Sequence, residues 1–173
     1  MSKLNLTRPL AFFDVETTGL NIASDRIVEI SILKIFAPDG SRKESKTLLI
    51  NPTIPIPKEV TKIHGISDVD VADAPTFKDC AKELADFFGD ADLSGYNCNY
   101  FDIPLLMEEF LRAGIDFDMK DRKMVDVQGI FHKKEERTLS AAYKFYCGKS
   151  LENAHSAEAD ITATYEILEA QLE

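Results

Sequence analysis

The spacing of hydrophobic residues predicts three strands in the first third of the chain. A short continuous apolar run at 10–13, bounded downstream by the polar residues 17–19, is typical of a strand buried on both faces. The β-branched stretch 26–36 ends at the turn-forming sequence APDGS, and 44–50 has the character of a further strand. Together these segments predict an antiparallel three-strand meander.

Helical periodicity appears after this meander. A proline-rich loop leads to a short helix predicted near 58–64, with Pro57 in its first turn. The segment 73–88 predicts a longer helix capped by Asp73, because apolar residues recur on one face at helical spacing. That face consists of Phe77, Cys80, Ala81, Leu84, Phe87 and Phe88.

Strands and helices then alternate to the end of the chain. Short strands are predicted at 91–96 and 123–127, and helices are predicted from 102 to Gly114, at 138–148 and at 156–172. The last helix is expected to place four residues on its core face: Ile161, Tyr165, Leu168 and Leu172. A meander followed by alternating elements predicts an α/β fold with a mixed sheet, and 173 residues suit a single domain spanning 1–173.

The composition is that of an ordinary globular protein, with 45% hydrophobic and 29% charged residues. No apolar stretch approaches the length of a membrane span, and the N-terminus lacks the layout of a signal peptide. Cys80, Cys98 and Cys147 form no CxxC pair, which favours reduced thiols over a disulfide or zinc framework. We therefore expect a cytoplasmic location and no membrane partner.

The formal net charge of −10 argues against a general nucleic-acid coat protein, which is normally basic. The charge is unevenly distributed, however. Residues 119–149 contain eight Lys or Arg and four acids, a net charge of +4, which leaves −14 for the rest of the chain. This segment is either a solvated helix face or a surface that contacts phosphates.

Asp14 and Glu16 lie two residues apart at the end of the first apolar run. In a strand, residues i and i+2 point to the same face, so these carboxylates repel each other and one pKa rises. A hard cation with oxygen ligands would offset the repulsion. Alternatively, the strand ends in solvent and both acids are hydrated.

Three further polar residues have ordinary interpretations when each is taken alone. Asp102 stands at a helix start, where it could serve as an N-cap. His155 lies in a loop just before the last helix and could be a surface residue. Asp160 follows five residues later, about one turn inside a helix that Ser156 could cap.

Together, these segments resemble the DEDDh superfamily of 3′→5′ exonucleases. This superfamily includes the epsilon proofreading subunit of bacterial DNA polymerase III, ribonuclease T and oligoribonuclease. FFDVETTGL (12–20), GYNCNYFDIPLL (95–106) and HSAEADITAT (155–164) resemble its three motifs in the same order, and KIHGIS (62–67) is similar to the segment after its third strand. A histidine five residues before the last acid matches the h branch.

The resemblance implies a ribonuclease H-like fold, a five-stranded mixed sheet flanked by helices. It also implies that four carboxylates bind two divalent metal ions, Mg²⁺ or Mn²⁺: Asp14, Glu16, Asp102 and Asp160. Two such ions stabilise the attacking and departing oxygens of a phosphodiester. His155 is the implied general base, because its ordinary pKa of about 6.5 suits proton transfer near neutral pH.

The resemblance further implies contacts to the terminal nucleotide, made by the backbone of Thr17, Thr18 and Gly19. Leu20 and His64 are expected to pack against the last base. Each has a structural alternative, since Leu20 could belong to the core and His64 could only pin its loop. Asn97 either orients the second motif or makes a purely structural hydrogen bond.

We therefore expect a metal-dependent 3′→5′ exonuclease that acts on single-stranded ends, on DNA rather than RNA, and releases nucleoside 5′-monophosphates. The chain ends directly after its last helix, which favours a stand-alone enzyme at least as much as a subunit bound to a DNA polymerase. The alternatives are an RNA-trimming exoribonuclease of the same superfamily and a non-catalytic nucleic-acid-binding domain.

Overall fold

A computed structural model describes residues 4–152, 154 and 156–172. The chain divides into two compact units, Met1–Val127 and Gln128–Glu173, which we call the sheet unit and the C-terminal unit. The assignment of 1–173 to one domain stays a prediction.

The sheet unit contains five strands in the spatial order β3-β2-β1-β4-β5. They are β1 (Leu10–Thr17), β2 (Ile27–Ile35), β3 (Lys43–Leu49), β4 (Asp92–Gly95) and β5 (Met124–Asp126). Strands β1, β2 and β3 pair in antiparallel fashion, whereas β4 is parallel to both β1 and β5. The predicted meander and mixed sheet are confirmed, and β1 is the central strand.

The helices of the sheet unit are α1 (Lys58–His64), α2 (Asp68–Val71), α3 (Phe77–Phe88) and α4 (Asp102–Ala113). At the boundary begins α5 (Val127–Lys134), and the C-terminal unit adds α6 (Leu139–Cys147) and α7 (Ala157–Gln171). Helices α2 and α5 were not predicted. The first is a single turn, and the second has no buried residue, so neither gives a clear apolar period.

The predicted N-cap of α3 is wrong. Thr76 caps the helix, and its side chain and that of Asp79 form a reciprocal capping box. Asp73 lies three residues further upstream, beyond the reach of a cap. Phe77, Cys80, Ala81, Leu84 and Phe88 are buried as predicted, while Phe87 is only half-buried.

The core of the sheet unit lies beneath one face of β1. Ala11, Phe13 and Val15 are buried there. The Phe13 ring meets Phe88 of α3 edge-on, with ring centroids 5.5 Å apart. Side chains alternate along a strand, so Asp14 and Glu16 point to the opposite face. That face is buried at Leu10 and half-buried at Phe12, so the apolar run is largely covered on both faces, as predicted. It opens at the acidic end, where Asp14 is exposed and Glu16 half-buried.

The C-terminal unit is built on the packing of α6 against α7. Tyr143, Ala163 and Ile167 form its buried cluster, and the Tyr143 hydroxyl donates to Glu166 at 2.8 Å. The predicted core face of α7 is wrong, because four residues are 54–80% exposed: Ile161, Tyr165, Leu168 and Leu172. Helix α6 packs instead against the side of α7 that carries Ala163, whose small side chain allows close approach.

None of the described helices combines the length and the apolar character that crossing a bilayer would require.

Candidate active site

Asp14 and Glu16 lie on the same face of β1, opposite the apolar core. Glu16 stands opposite Glu29 of β2 in the strand register. Partial burial is the main cause that raises the pKa of Glu16. The carboxylates of Asp14 and Glu29 raise this pKa further, whereas the nearby His64 lowers it. Asp14, Glu16 and Glu29 thus concentrate negative charge at this end of β1.

Asp102 connects α4 to β1. It is the first residue of α4 and is only 6% exposed. Its Oδ1 accepts a hydrogen bond from the Val15 amide at 3.3 Å, between Asp14 and Glu16. The parallel pairing of β1 with β4 runs only as far as Phe12. The Val15 amide lies beyond the end of this pairing, and it donates to the Asp102 carboxylate. Phe101 occupies the N-cap position, and the interpretation of Asp102 as an N-cap is wrong.

Burial raises the pKa of Asp102 to about 6, and the negative charge of Asp14 adds to the shift. Asp14 therefore lies within electrostatic reach of both Glu16 and Asp102. Oxygen ligands whose charges repel one another fit a hard divalent cation, which would relieve the repulsion. Among the described residues, however, no three His, Cys, Asp or Glu side chains are already gathered closely enough to hold a metal ion.

The remaining two motif residues belong to the C-terminal unit. Asp160 lies in the first turn of α7, is half-buried, and its amide donates to the Ser156 carbonyl at 2.9 Å. His155 lies outside the described residues. The convergence of Asp160 and His155 on the other acids stays a prediction.

The loop after β1 is fixed by hydrogen bonds. The Thr17 hydroxyl donates to the Gly19 carbonyl at 2.6 Å. Asp25 accepts from the Thr18 hydroxyl at 2.9 Å and from the Asn21 amide at 2.7 Å. A Cβ at position 19 would lie 2.5 Å from an Asp25 carboxylate oxygen, so a larger residue there would displace the carboxylate that fixes the loop.

Arg112 of α4 holds the same loop from outside. Its guanidinium donates to the carbonyls of Asp25, Ile22 and Ala23 at 3.1, 3.0 and 2.7 Å. Glu109 accepts from this guanidinium at 3.0 Å. One helix therefore both carries Asp102 and fixes the loop that follows Glu16.

Leu20 is 83% exposed at the tip of this fixed loop, so its assignment to the core is wrong. Exposed apolar groups on a rigid loop suit contact with a planar base, but the predicted contact of Leu20 with a base is untested.

His64 is held by two hydrogen bonds. Its Nδ1 accepts from the Ile66 amide at 3.0 Å, which assigns the proton to Nε2, and Nε2 donates to the Thr17 carbonyl at 3.2 Å. The loop-pinning interpretation of His64 is thus supported. Its half-buried ring leaves the predicted contact with a base open.

Asn97 has a left-handed backbone, with φ of +63°. Its amide donates to Asp126 Oδ1 at 3.0 Å, and the amide of Asn99 donates to Oδ2 at 3.3 Å. Asp126 was not a candidate from the sequence. Its position at the end of β5 was the available signal, because the carboxyl ends of the parallel strands β4 and β5 meet at one edge of the sheet.

The basic segment 119–149 is partly used within the protein. The Arg122 guanidinium donates to the carbonyls of Ala91, Gly89 and Asp118, and Lys149 pairs with Glu166 at 2.5 Å. Phosphate contact by the other basic side chains stays a prediction.

The sequence matches a known protein family over most of its length. The family model described as Exonuclease matches residues 11–168. The chain belongs to this exonuclease family. The resemblance to the DEDDh exonucleases is confirmed.

Relatives of this exonuclease domain include replicative and phage proteins. The uncharacterized exonuclease CP81 of Escherichia phage 186 is 32% identical over 92% of this chain and 86% of its own length. The DNA polymerase III subunit epsilon of Buchnera aphidicola is 30% identical over 84% of this chain. The PolC-type DNA polymerase III of Caldanaerobacter subterraneus is 28% identical over 99%. The chain spans 60% of that epsilon subunit and 12% of that PolC.

Solved structures with a similar fold include E. coli exonuclease I. Its complex with a dT13 oligonucleotide has a TM-score of 0.68 at 20% identity, over 96% of this chain and 41% of that one. Its zinc-bound complex with single-stranded DNA also gives 0.68 at 20% identity, over 96% of this chain and 40% of that one. The predicted ribonuclease H-like α/β fold is confirmed.

Proposed function

We propose that this protein is a metal-dependent 3′→5′ exonuclease that shortens single-stranded nucleic acid, DNA rather than RNA, and releases nucleoside 5′-monophosphates. The observation that carries the proposal is the hydrogen bond from the Val15 amide to Asp102. It ties the acid of the second motif to β1 between the two acids of the first, although 87 residues separate Val15 from Asp102.

The substrate class is supported by the relatives and neighbours. Exonuclease I is described in complex with dT13 and with single-stranded DNA, and several relatives are named as parts of DNA polymerase III. These names favour DNA, and they favour a DNA polymerase as a partner. A cytoplasmic location remains a prediction.

Asp14, Glu16, Asp102 and Asp160 would hold two divalent ions, Mg²⁺ or Mn²⁺. When bound, the ions stabilise negative charge on the attacking and departing oxygens of the phosphodiester. The protein supplies the oxygen ligands, and it supports Asp102 with the backbone of β1 so that the carboxylate is positioned before metal arrives.

Other residues of the chain would bind the substrate and move the proton. The fixed loop at 17–20 would orient the terminal nucleotide, with Leu20 against its base and with His64 holding the Thr17 carbonyl in place. Asn97 would help to set the loop before Asp102. His155 would accept the proton of the attacking water.

A labelled oligonucleotide assay tests this proposal. The protein is incubated with 5′-labelled single-stranded DNA or RNA of the same sequence in Mn²⁺, beside the variant Asp14→Asn as a matched control. We expect a ladder that shortens from the 3′ end, faster on DNA, and no ladder with the variant. Faster loss of RNA would identify an exoribonuclease, whereas measurable binding of intact oligonucleotide would indicate a non-catalytic domain.

A further inference from the structure

The end of β5 supports the loop that precedes Asp102. Asp126 is the last residue of β5, and its two carboxylate oxygens accept from the amides of Asn97 and Asn99, at 3.0 and 3.3 Å. Hydrogen bonds to an ionised acceptor are stronger than those between neutral groups. The carboxylate therefore holds two backbone positions of the loop 96–101 at once.

One of these positions has an unfavourable backbone. Asn97 lies in the left-handed region at φ +63°, where non-glycine residues are uncommon and asparagine is among the better tolerated. Such a conformation persists where the surroundings fix it. The bond from the Asn97 amide to Asp126 is a contact that fixes it.

The rest of the loop transmits this constraint towards Asp102. Cys98 is fully buried, and its carbonyl accepts from the Ile103 amide at 2.9 Å. Gly95 packs so tightly that a Cβ there would lie 2.8 Å from the Cys98 Cβ and 2.9 Å from the Phe13 carbonyl oxygen. The loop is thus packed against β1 on one side and leads directly into α4 on the other.

We infer that Asp126 is a positioning residue, which holds loop 96–101 so that Asp102 meets β1 at Val15. The inference rests on the proposed function, since it assigns Asp126 an indirect role in the same reaction. The role is to support Asp102 through the backbone, since the Asp126 oxygens accept bonds from amides of the loop that leads into α4. Residues that orient a metal ligand in this way typically contribute about 10- to 100-fold to metal affinity or activity.

Three variants distinguish this role. Asp126→Ala removes both acceptors, and Asp126→Asn keeps one oxygen, so its effect is expected to be smaller in every measurement. Asp116→Asn is the matched control, because Asp116 is an exposed aspartate of the same unit. If Asp126→Ala fails to fold, Asp126→Asn carries the test.

Amide exchange followed by NMR reports the loop directly. We expect the amides of Asn97 and Asn99 to exchange faster in Asp126→Ala than in the wild type, with the amides of β1 other than that of Val15 unchanged. In the Asp116→Asn control, both loop amides should exchange at the wild-type rate. Unchanged exchange at Asn97 and Asn99 in Asp126→Ala would overturn the inference.

Metal titration and kinetics test whether loss of the Asp126 carboxylate weakens metal binding and catalysis through Asp102. In Asp126→Ala, the Mn²⁺ concentration that gives half of the maximal rise in Tm should increase by about 10- to 100-fold. The kcat on a DNA oligonucleotide should fall by a similar factor while KM changes little. A fall in kcat with an unchanged Mn²⁺ midpoint would contradict positioning and would assign Asp126 a direct role.

The inference and the proposed function can fail separately. If the wild-type protein cleaves no nucleic acid, the proposed function fails, but the exchange and Mn²⁺ measurements still decide whether Asp126 positions Asp102. If the wild type cleaves and Asp126→Ala matches Asp116→Asn in all three measurements, only the inference fails.

Discussion

At the residue scale, the carboxyl of Asp102 has a strongly raised pKa. The carboxyl is buried near Asp14, and both effects disfavour its ionised form. In the absence of metal this is a cost to the folded protein at neutral pH. A divalent cation would reverse that cost, which links the stability of the protein to metal and to pH.

The pH dependence of metal-free stability follows from this shift. Because the folded pKa of about 6 exceeds the ordinary value of 3.8, Asp102 favours the folded state below about pH 4 and loses that contribution as pH rises through 6. In EDTA, the loss between pH 4 and 7 should be on the order of 1–2 kcal/mol, below the full 1.36 kcal/mol per pKa unit because the carboxylate is not wholly shielded from solvent.

Urea unfolding at several pH values, compared between the wild type and Asp102→Asn, measures this difference. The variant should lack the Asp102 part of the decline. Parallel stability curves for the two proteins would contradict the assigned environment of Asp102.

His155 provides a second prediction at this scale. Replacing it with alanine should lower turnover by about 10²- to 10⁴-fold, since it would remove the general base. The rise in Tm on adding Mn²⁺ should survive, because His155 is not among the proposed ligands. Full activity of His155→Ala at pH 7 would exclude this role.

The sequence predicted some residues of the site better than others. The pairing of Asp14 with Glu16 followed from strand alternation, which depends only on neighbours in the chain. The hydrogen bond between Asp102 and the Val15 amide was not predicted, because the two residues lie 87 positions apart in the chain. The position of Asp102 at a helix start suggested an N-cap instead. The support given by Asp126 was missed for the same reason, since it depends on two parallel strands meeting at one edge.

At the scale of elements, the loop after β1 is the most constrained part of the candidate site. Arg112 and Asp25 fix it through side chains that reach its backbone. Its glycine was predicted only as part of a motif. The structure supplies the reason, which is the close approach of the Asp25 carboxylate to position 19.

A double-mutant cycle tests this packing. Gly19→Ala places a Cβ 2.5 Å from Asp25 Oδ2 and should destabilise the protein by about 1–3 kcal/mol, as overpacked sites do. In the background of Asp25→Ala, the same substitution should cost clearly less, because the clashing group is absent. Equal costs in both backgrounds, measured by urea unfolding, would show that the Asp25 carboxylate is not what restricts position 19.

Element boundaries illustrate where local patterns are insufficient. The N-cap of α3 is Thr76 and not the predicted Asp73, since the reciprocal capping box of Thr76 with Asp79 satisfies more backbone groups than a single cap. The apolar stripe of α7 was assigned to the core by periodicity alone. In the structure, Ala163 and Ile167 are buried instead, because a small residue permits closer approach of α6.

At the scale of the whole molecule, the proposed function requires a chain with a net charge of −10 to attract a polyanion. Four carboxylates and two divalent ions would together be neutral, so the loaded site would no longer repel phosphates. The family and the order of the strands were predictable from the sequence because three motifs and the strand pattern agree. The proposed convergence of Asp160 with the other acids cannot be derived in this way, since it depends on how the last helix is held.

The central claim is that acids from both ends of the chain bind the same pair of cations. Anomalous diffraction from crystals soaked in Mn²⁺ tests it most directly. We predict two strong peaks coordinated by Asp14, Glu16, Asp102 and Asp160, and no such peaks in Asp14→Asn crystals treated in the same way. Wild-type crystals without anomalous density near these four carboxylates, or with Asp160 far from the other three, would contradict the account.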